Sequence, residues 1–340
     1  MQLLRFISRR LIFQVFVLLG LTLLTFSLMF LLPGDPAVAL LTLQGVAPDR
    51  DTIAAFNERW GLDRPLHEQY LVFLRNVLRG DLGQSMVTRR PIAVELLNYF
   101  PATVELALAA TVVAVALGVP MGILAAVHRD SALDQGIRVL SLFGVSMPIF
   151  WLAILALTLF YGQLGLVPSS QRIPITLTPP PAVTYLYTID YLLAGDVRGF
   201  LSALHHLALP ALLLGYSVVG LITRITRANM LDVLSQEYIR TARAKGLGDR
   251  LVLYRHALRN AMIPTVTALG LTITSLLSGA VLTETIFAWP GLGRFAVQSI
   301  FYLDRASVMG ITLLIGVVVS VVNLCIDVLV AALDPRIHYG

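Results

Sequence analysis

The sequence predicts an all-α integral membrane protein with six transmembrane helices. Three observations carry that expectation. Hydrophobic residues make up 57% of the 340 and charged residues only 13%, whereas a soluble domain carries about a quarter charged. Mean hydropathy is +0.79. The apolar residues also lie in long blocks, not in the short periodic faces of a soluble core.

The first block, Leu11 to Leu32, runs 22 residues without a charge, enough for about 33 Å of helix against a hydrocarbon core of about 30 Å. Arg5, Arg9 and Arg10 precede it and Ala37-Val38-Ala39 follows, a layout shared with signal peptides. The run exceeds the roughly 7–15 apolar residues of such a leader, and Pro33-Gly34-Asp35-Pro36 intervenes, so a retained helix is expected. Further spans read as Leu106–Val127, Val139–Leu159, Leu207–Ile222, Ala261–Val281 and Val308–Leu333, the fourth being the shortest. Pro120, Pro148 and Pro210 fall in or near spans, where neighbouring helices can re-satisfy the freed carbonyls, so kinks are expected. The chain thus divides into 1–32 (N-terminus and first span), 33–100 (a loop with short helices) and 101–340 (a core of five spans).

Orientation follows from arginine placement. Three arginines precede the first span, and Arg224, Arg227, Arg240, Arg243, Lys245, Arg250, Arg255 and Arg259 lie between spans four and five against Asp232, Glu237 and Asp249. Both segments belong in the cytoplasm by the positive-inside rule, and an even number of spans returns the C-terminus there. The stretch from Pro33 to Phe100 has seven arginines balanced by eight acids, and loops longer than about 60 residues escape the rule. Within it Asp51–Trp60 and Pro65–Leu78 suit short amphipathic helices stopped by Gly61 and Gly80, and Pro91–Phe100 suits an interfacial segment. The second outer segment, Gly162–His205, carries Pro168, Pro174, Pro179, Pro180 and Pro181, which argue against continuous helix.

Composition excludes several chemistries. The single lysine, Lys245, sits in Ala244-Lys245-Gly246, so the sequence holds no Gly-Lys-Ser/Thr phosphate loop. One cysteine, Cys325, gives no disulfide within the chain and no Cys-rich metal site. The six histidines form no His-Glu-x-x-His, and no Gly-x-Ser-x-Gly elbow occurs. No metal site and no catalytic residue are therefore expected. The pI near 9.5 reflects arginine-rich loops, without the interleaved aromatics of a nucleic-acid surface.

The segment between spans four and five carries the main signal. Ser235 can cap a helix, Glu237 favours its positive end, Arg243 and Lys245 its negative end, and Gly246 suits the left-handed position that follows. Asp249 can cap a second helix with Leu251, Tyr254, Leu258 and Ala261 as its apolar stripe and Arg255 and Arg259 off it. Spacing alone leaves open a plain solvated basic loop beside a compact two-helix knob.

Glu237-Tyr-Ile-Arg-Thr-Ala-Arg-Ala-Lys-Gly-Leu247, followed by Arg255-His-Ala-Leu-Arg-Asn-Ala-Met-Ile-Pro264, resembles the coupling segment of ABC-importer permeases, most narrowly the dipeptide/oligopeptide/nickel group. Leu32-Pro-Gly-Asp-Pro36, Gly61-Leu-Asp-Arg-Pro65, Gly80-Asp-Leu-Gly83, Pro101-Ala-Thr-Val-Glu-Leu106, Leu282–Arg294 and Asp334-Pro-Arg336 agree, so the resemblance spans nearly the whole chain. Arg240, Thr241 and Ala242 depart from the Glu-Ala-Ala of the broader permease pattern. The resemblance implies a type I permease fold with a cytoplasmic coupling helix in segment 235–260, located in the bacterial inner membrane. It implies a homologous second permease, two cytoplasmic ATPase subunits that use ATP and Mg, and an external solute-binding protein. The ATPase-facing residues it points to are Glu237, Arg240, Thr241, Ala242, Lys245, Gly246 and Leu247, with Arg255 and Arg259 meeting either the ATPase or lipid phosphates. Short peptides, dipeptides first, are the expected substrate class; nickel chelates, glutathione and opines are alternatives, and a proton-coupled carrier or a membrane hydrolase are the rivals from other classes.

Glu105 and Glu284 are the carboxylates considered for the translocation path, and both are expected at the outer edge, where solvation is cheap. Asp327, near Asn323, is expected to hydrogen-bond another helix. Trp60, Trp151 and Trp289 read as interface or packing aromatics, and Gly270, Ser275, Ser278 and Gly279 as close-packing positions.

Overall fold

The computed structural model describes residues 2–168 and 170–333. Asp334-Pro-Arg336 and the side chains of Ser278, Asp327 and residues 2–9 lie outside the description. Among the described residues the regular structure is helical, with one isolated bridge between Gln84 and Pro91. Among the described residues five helices are long and apolar enough to cross a membrane, and a pair bent by 101° brings the number to six where it counts as one span. The chain divides into two compact units, Met1–Pro101 with Gly291–Val321 and Ala102–Pro290 with Val322–Gly340.

The first unit begins with α1 (Gln2–Leu31), the expected retained span. Asp35 caps α2 (Pro36–Leu43) by accepting from Ala37 N–H at 2.8 Å. Asp49 caps α3 (Arg50–Trp60), and Gly61, at φ 64°, closes it in the left-handed conformation that glycine adopts without strain. α4 (Leu66–Leu78) follows; both short helices fall where the sequence places them. The segment Pro91–Phe100 is not a separate element: α5 (Ile92–Val127) continues through it. Its apolar residues alternate with Glu95 and Asn98 at spacings that one continuous helix satisfies. Ile92 and Leu96 pack with Leu292 and Phe295 of α14 (Leu292–Phe301) and Ile311 of α15 (Arg305–Leu333). Tyr99 stacks on Phe295 at 4.6 Å. Asp304, buried, accepts from Ser85 Oγ at 2.5 Å and Ser307 Oγ at 2.8 Å, tying the loop after α4 to the start of α15.

In the second unit the third expected span is broken. α6 (Ala132–Ser146) and α7 (Ile149–Ala156, continued by a wide π-helical stretch Leu157–Gln163) bend by 101° at Met147-Pro148. Met147 is extended, with φ −83° and ψ 133°, because the proline ring clashes with a helical residue before it. Pro210, by contrast, sits inside α9 (Val197–Leu234) without ending it. α9 is far longer than the expected Leu207–Ile222. Hydropathy marks only its apolar middle, much of it buried against neighbouring helices, while helical hydrogen bonds continue through His205 and His206 on one side and Arg224 and Arg227 on the other. The preceding proline-rich stretch is irregular, as expected, up to the short α8 (Tyr187–Leu193).

Close glycine contacts set α9 against its neighbours. A Cβ on Gly220 would lie 2.3 Å from Ser141 O, and one on Gly122 would lie 2.8 Å from Thr223 O. Such approaches let helices associate by packing where no hydrophobic force separates protein from lipid. Gly270 of α12 (Leu258–Gly279) likewise faces Ile326, and Asn323 accepts from Thr274 Oγ1 at 3.5 Å. Ser275 instead is exposed and bonds back to Leu271 O.

Candidate coupling site

α9 ends at Leu234, and α10 (Glu237–Ala244) follows after two residues. Ser235 closes the earlier helix rather than capping the next: its hydroxyl donates to Asp232 O at 2.7 Å, and Gln236 occupies the cap position. Glu237 lies in the first turn of α10 and Arg243 in the last, matching the helix dipole. Gly246, at φ 79° with open space around it, takes the left-handed turn. Gly248, not Asp249, precedes α11 (Asp249–Leu251).

The expected apolar stripe on the second helix holds at Leu258 and Ala261 and is corrected at Leu251 and Tyr254. Val252, Ala257 and Ala261 are buried, while Leu251 and Tyr254 are exposed. Val252–Ala257 forms a π-helical stretch, whose wider turn rotates the register that a 3.6-residue period assumes. The buried residues join Ile239 and Ala242 of α10, Ile123 and Ala126 of α5 and Met230 of α9 in one apolar cluster, with Leu247 half-buried against it. Asn260 Nδ2 donates to Tyr238 Oη at 2.8 Å and to His256 O at 3.3 Å, linking α10 to the second helix. The knob is therefore packed onto the ends of α5, α9 and α12.

The sequence-selected residues divide cleanly. Ala242 is buried and Leu247 half-buried; both anchor the knob. Glu237, Arg240, Thr241, Lys245, Gly246, Arg255 and Arg259 are exposed, as are Arg243 and Arg250. Arg240 Nη1 pairs with Glu237 Oε1 at 2.8 Å across one exposed helical turn. Beside the knob, Asp134 is wholly buried and held bidentately by Arg227, at 2.8 Å and 2.6 Å. Sequence reasoning counted Arg227 only as a loop charge and passed over Asp134. The readable signal was Ser131-Ala-Leu-Asp134, a capping pattern in which Ser131 Oγ accepts from Asp134 N–H at 3.3 Å.

At the far end of the unit the two selected glutamates are buried within the protein, where hydrogen bonds and not solvent meet their charge. Glu105 and Glu284 are 5% and 0% exposed. Glu105 Oε2 accepts from Arg172 Nε at 3.0 Å and Nη2 at 2.6 Å, and its Oε1 accepts from Thr188 N–H and Oγ1, both at 2.8 Å. Arg172 lies 3.6 Å over the Tyr187 ring. Glu284, on α13 (Val281–Ile286), accepts from Thr103 Oγ1 at 2.6 Å. Trp289, buried, donates to Ala102 O at 2.8 Å, a packing role. Nearby, burial opposes ionisation of Asp190, yet hydrogen bonds from Thr184 and from backbone N–H groups outweigh it and hold the carboxyl below its ordinary range.

Five or six membrane-length apolar elements, with a basic helix–turn–helix between α9 and α12, are the architecture of a membrane permease. The chain belongs to the family of binding-protein-dependent transport system inner membrane components: the family's model matches residues 118–339, and a model of its N-terminal part matches 3–107. It is an inner-membrane, multi-pass protein. It is 43% identical over 336 residues to the di/tripeptide transport system permease protein DppB of Pseudomonas aeruginosa, covering 99% of each chain. It is 42% identical over 338 residues to the dipeptide transport system permease protein DppB of Escherichia coli, again with 99% of each chain covered. The oligopeptide transport system permease protein AppB of Bacillus subtilis is 38% identical over 335 residues, with 98% of this chain and 99% of that one covered. Among solved structures, the MetNI methionine ABC transporter in an inward-facing conformation shares the fold, with a TM-score of 0.52 at 17% identity over 68% of this chain and 93% of that chain.

Proposed function

We propose that this chain is the dipeptide-type permease subunit of an ATP-binding-cassette importer and forms half of its translocation pathway. The observation that carries the reading is near-complete alignment with dipeptide permeases, together with an exposed basic knob whose apolar side is rooted in three membrane helices. In this reading both termini and the knob are cytoplasmic. Two ATPase subunits bind ATP and Mg and dock on Glu237, Arg240, Thr241, Lys245 and Gly246, with Arg255 and Arg259 flanking them. Ala242 and Leu247 hold that surface to the membrane helices rather than touching the partner. A homologous second permease completes the pore, and an external binding protein delivers the peptide. Glu105, with both oxygens occupied, belongs to the frame of the outer end and not to the peptide's path.

The mechanism follows from the packing. Closure of the ATPases pushes on α10, and Ile239, Ala242 and Val252 pass the displacement to α5, α9 and α12 because close-packed interiors move as blocks. The test is labelled-dipeptide uptake by the whole complex in proteoliposomes. Gly246→Val is expected to abolish uptake while assembly and membrane insertion persist; full uptake in that variant removes the coupling role. A wild-type complex that takes up a nickel chelate, glutathione or an opine but no dipeptide changes the substrate and leaves the mechanism standing.

A further inference from the structure

We propose that the cleft between α6 and α9 binds the phosphate headgroup of an anionic phospholipid. The cleft is a cavity of about 420 Å³ lined by Arg138, Ser141, Leu142, Val145, Thr223 and Arg224, among others. The lining is graded by polarity. Arg138, Ser141, Leu142 and Val145 lie at i, i+3, i+4 and i+7 on one face of α6, and Thr223 and Arg224 lie on the facing turn of α9. Guanidinium groups stand at one end, two hydroxyls in the middle, and exposed apolar side chains, Leu142 at 63% and Val145 at 52%, at the other. That is the polarity profile of a phospholipid from its phosphate to its acyl chains, on an apolar helix whose bent pairing with α7 is long and apolar enough for the membrane.

Two features show that the polar end lacks its partner. Ser141 Oγ and Thr223 Oγ1 are buried without a hydrogen bond, and their residues are 8% and 2% exposed. The nearest carboxylate, Asp134, is already engaged by both arms of Arg227 and reaches Arg138 only at 3.6 Å. Arg224 is exposed and has no ion pair among the described residues. Positive charge and hydroxyl donors therefore remain unanswered, and the lining holds no acid for the ammonium group of a peptide. An anion with an apolar tail fits; a zwitterionic solute does not. Basic pockets between membrane helices take anionic headgroups for the same reason. The argument uses the cleft and its membrane setting, not the identity of the transported solute.

The test uses the assembled complex, extracted in detergent, stripped of lipid and titrated with phosphatidylglycerol or phosphatidylcholine under native mass spectrometry. Selective retention of phosphatidylglycerol on this subunit is expected, weakened about fivefold by Arg224→Ala and again by Arg138→Ala. In the unaltered complex, phosphatidylglycerol with photoactivatable acyl chains is expected to label Leu142 and Val145. Equal retention of the two lipids, unchanged retention in the double variant, or labelling elsewhere overturns the proposal. So does full displacement by millimolar inorganic phosphate, which marks a free-phosphate site, or quantitative crosslinking of Leu142→Cys to the second permease by a thiol-reactive photocrosslinker, which marks a protein interface.

Discussion

At one end of the second unit Glu105 has both oxygens filled by Arg172 and Thr188, and the pair is buried. At the other end Arg243, Lys245, Arg250, Arg255 and Arg259 stand exposed, above an apolar base of Ile239, Ala242, Val252 and Ala257. The first arrangement uses up its charge internally and fixes a loop to a helix. The second spends apolar contacts to hold the knob and leaves its charge for something outside the chain. A charged residue near a membrane helix is thus read by whether its valence is already met, not by its position in the sequence.

Breaking the buried pair has the largest expected effect. Arg172→Ala strands the Glu105 carboxylate and should cost about 3–5 kcal/mol, seen as a lowered melting temperature of the purified complex; a melting curve that does not move would remove the contrast. Arg227→Ala leaves buried Asp134 with only Arg138, at 3.6 Å, and the Asp130 N–H as partners, so a somewhat smaller loss is expected beside the knob, by the same measurement. Gly246→Val adds no clash, since nothing lies within 4 Å of a Cβ there. Its cost is backbone strain alone, about 1–2 kcal/mol, and uptake should fall far more than stability.

The pH dependence at Asp190 is smaller. Its carboxyl is held low, so the stabilisation is present above the unfolded value of about 3.9 and is lost as pH falls through the lower folded value. Proteolysis of the 178–190 stretch should therefore be constant from neutrality to about pH 4 and rise only below it. Thr184→Ala should move that rise to higher pH. The smallest stability effect belongs to Arg255→Ala and Arg259→Ala, expected within about 0.5 kcal/mol of wild type. Association with the ATPase subunits should nevertheless weaken, and added salt should narrow the difference.

Much of this was legible in the sequence. Long uncharged runs mark the membrane-length helices, because only such helices satisfy their own backbone in lipid. Gly246 and Gly61 announced their turns because few other residues tolerate a positive φ. What stayed hidden depends on long-range pairing. Nothing local to Arg172, in a proline-rich stretch, points to Glu105, 67 positions away. Nor does any period announce a π-helical stretch, which leaves Leu251 and Tyr254 exposed while Leu258 and Ala261 of the same predicted stripe pack inward. The break at Pro148 was foreseen only as a kink, since the sequence does not show which prolines neighbouring helices will accommodate.

α9 contains 38 residues, about 57 Å of helix at 1.5 Å per residue. Hydrocarbon accounts for about 30 Å of that, and the usual tilt of about 20° shortens the rod by little. Roughly 25 Å must then stand clear of the acyl chains, shared between the two surfaces. Whatever share of that length falls at the Leu234 end lifts the knob away from the acyl chains by the same amount.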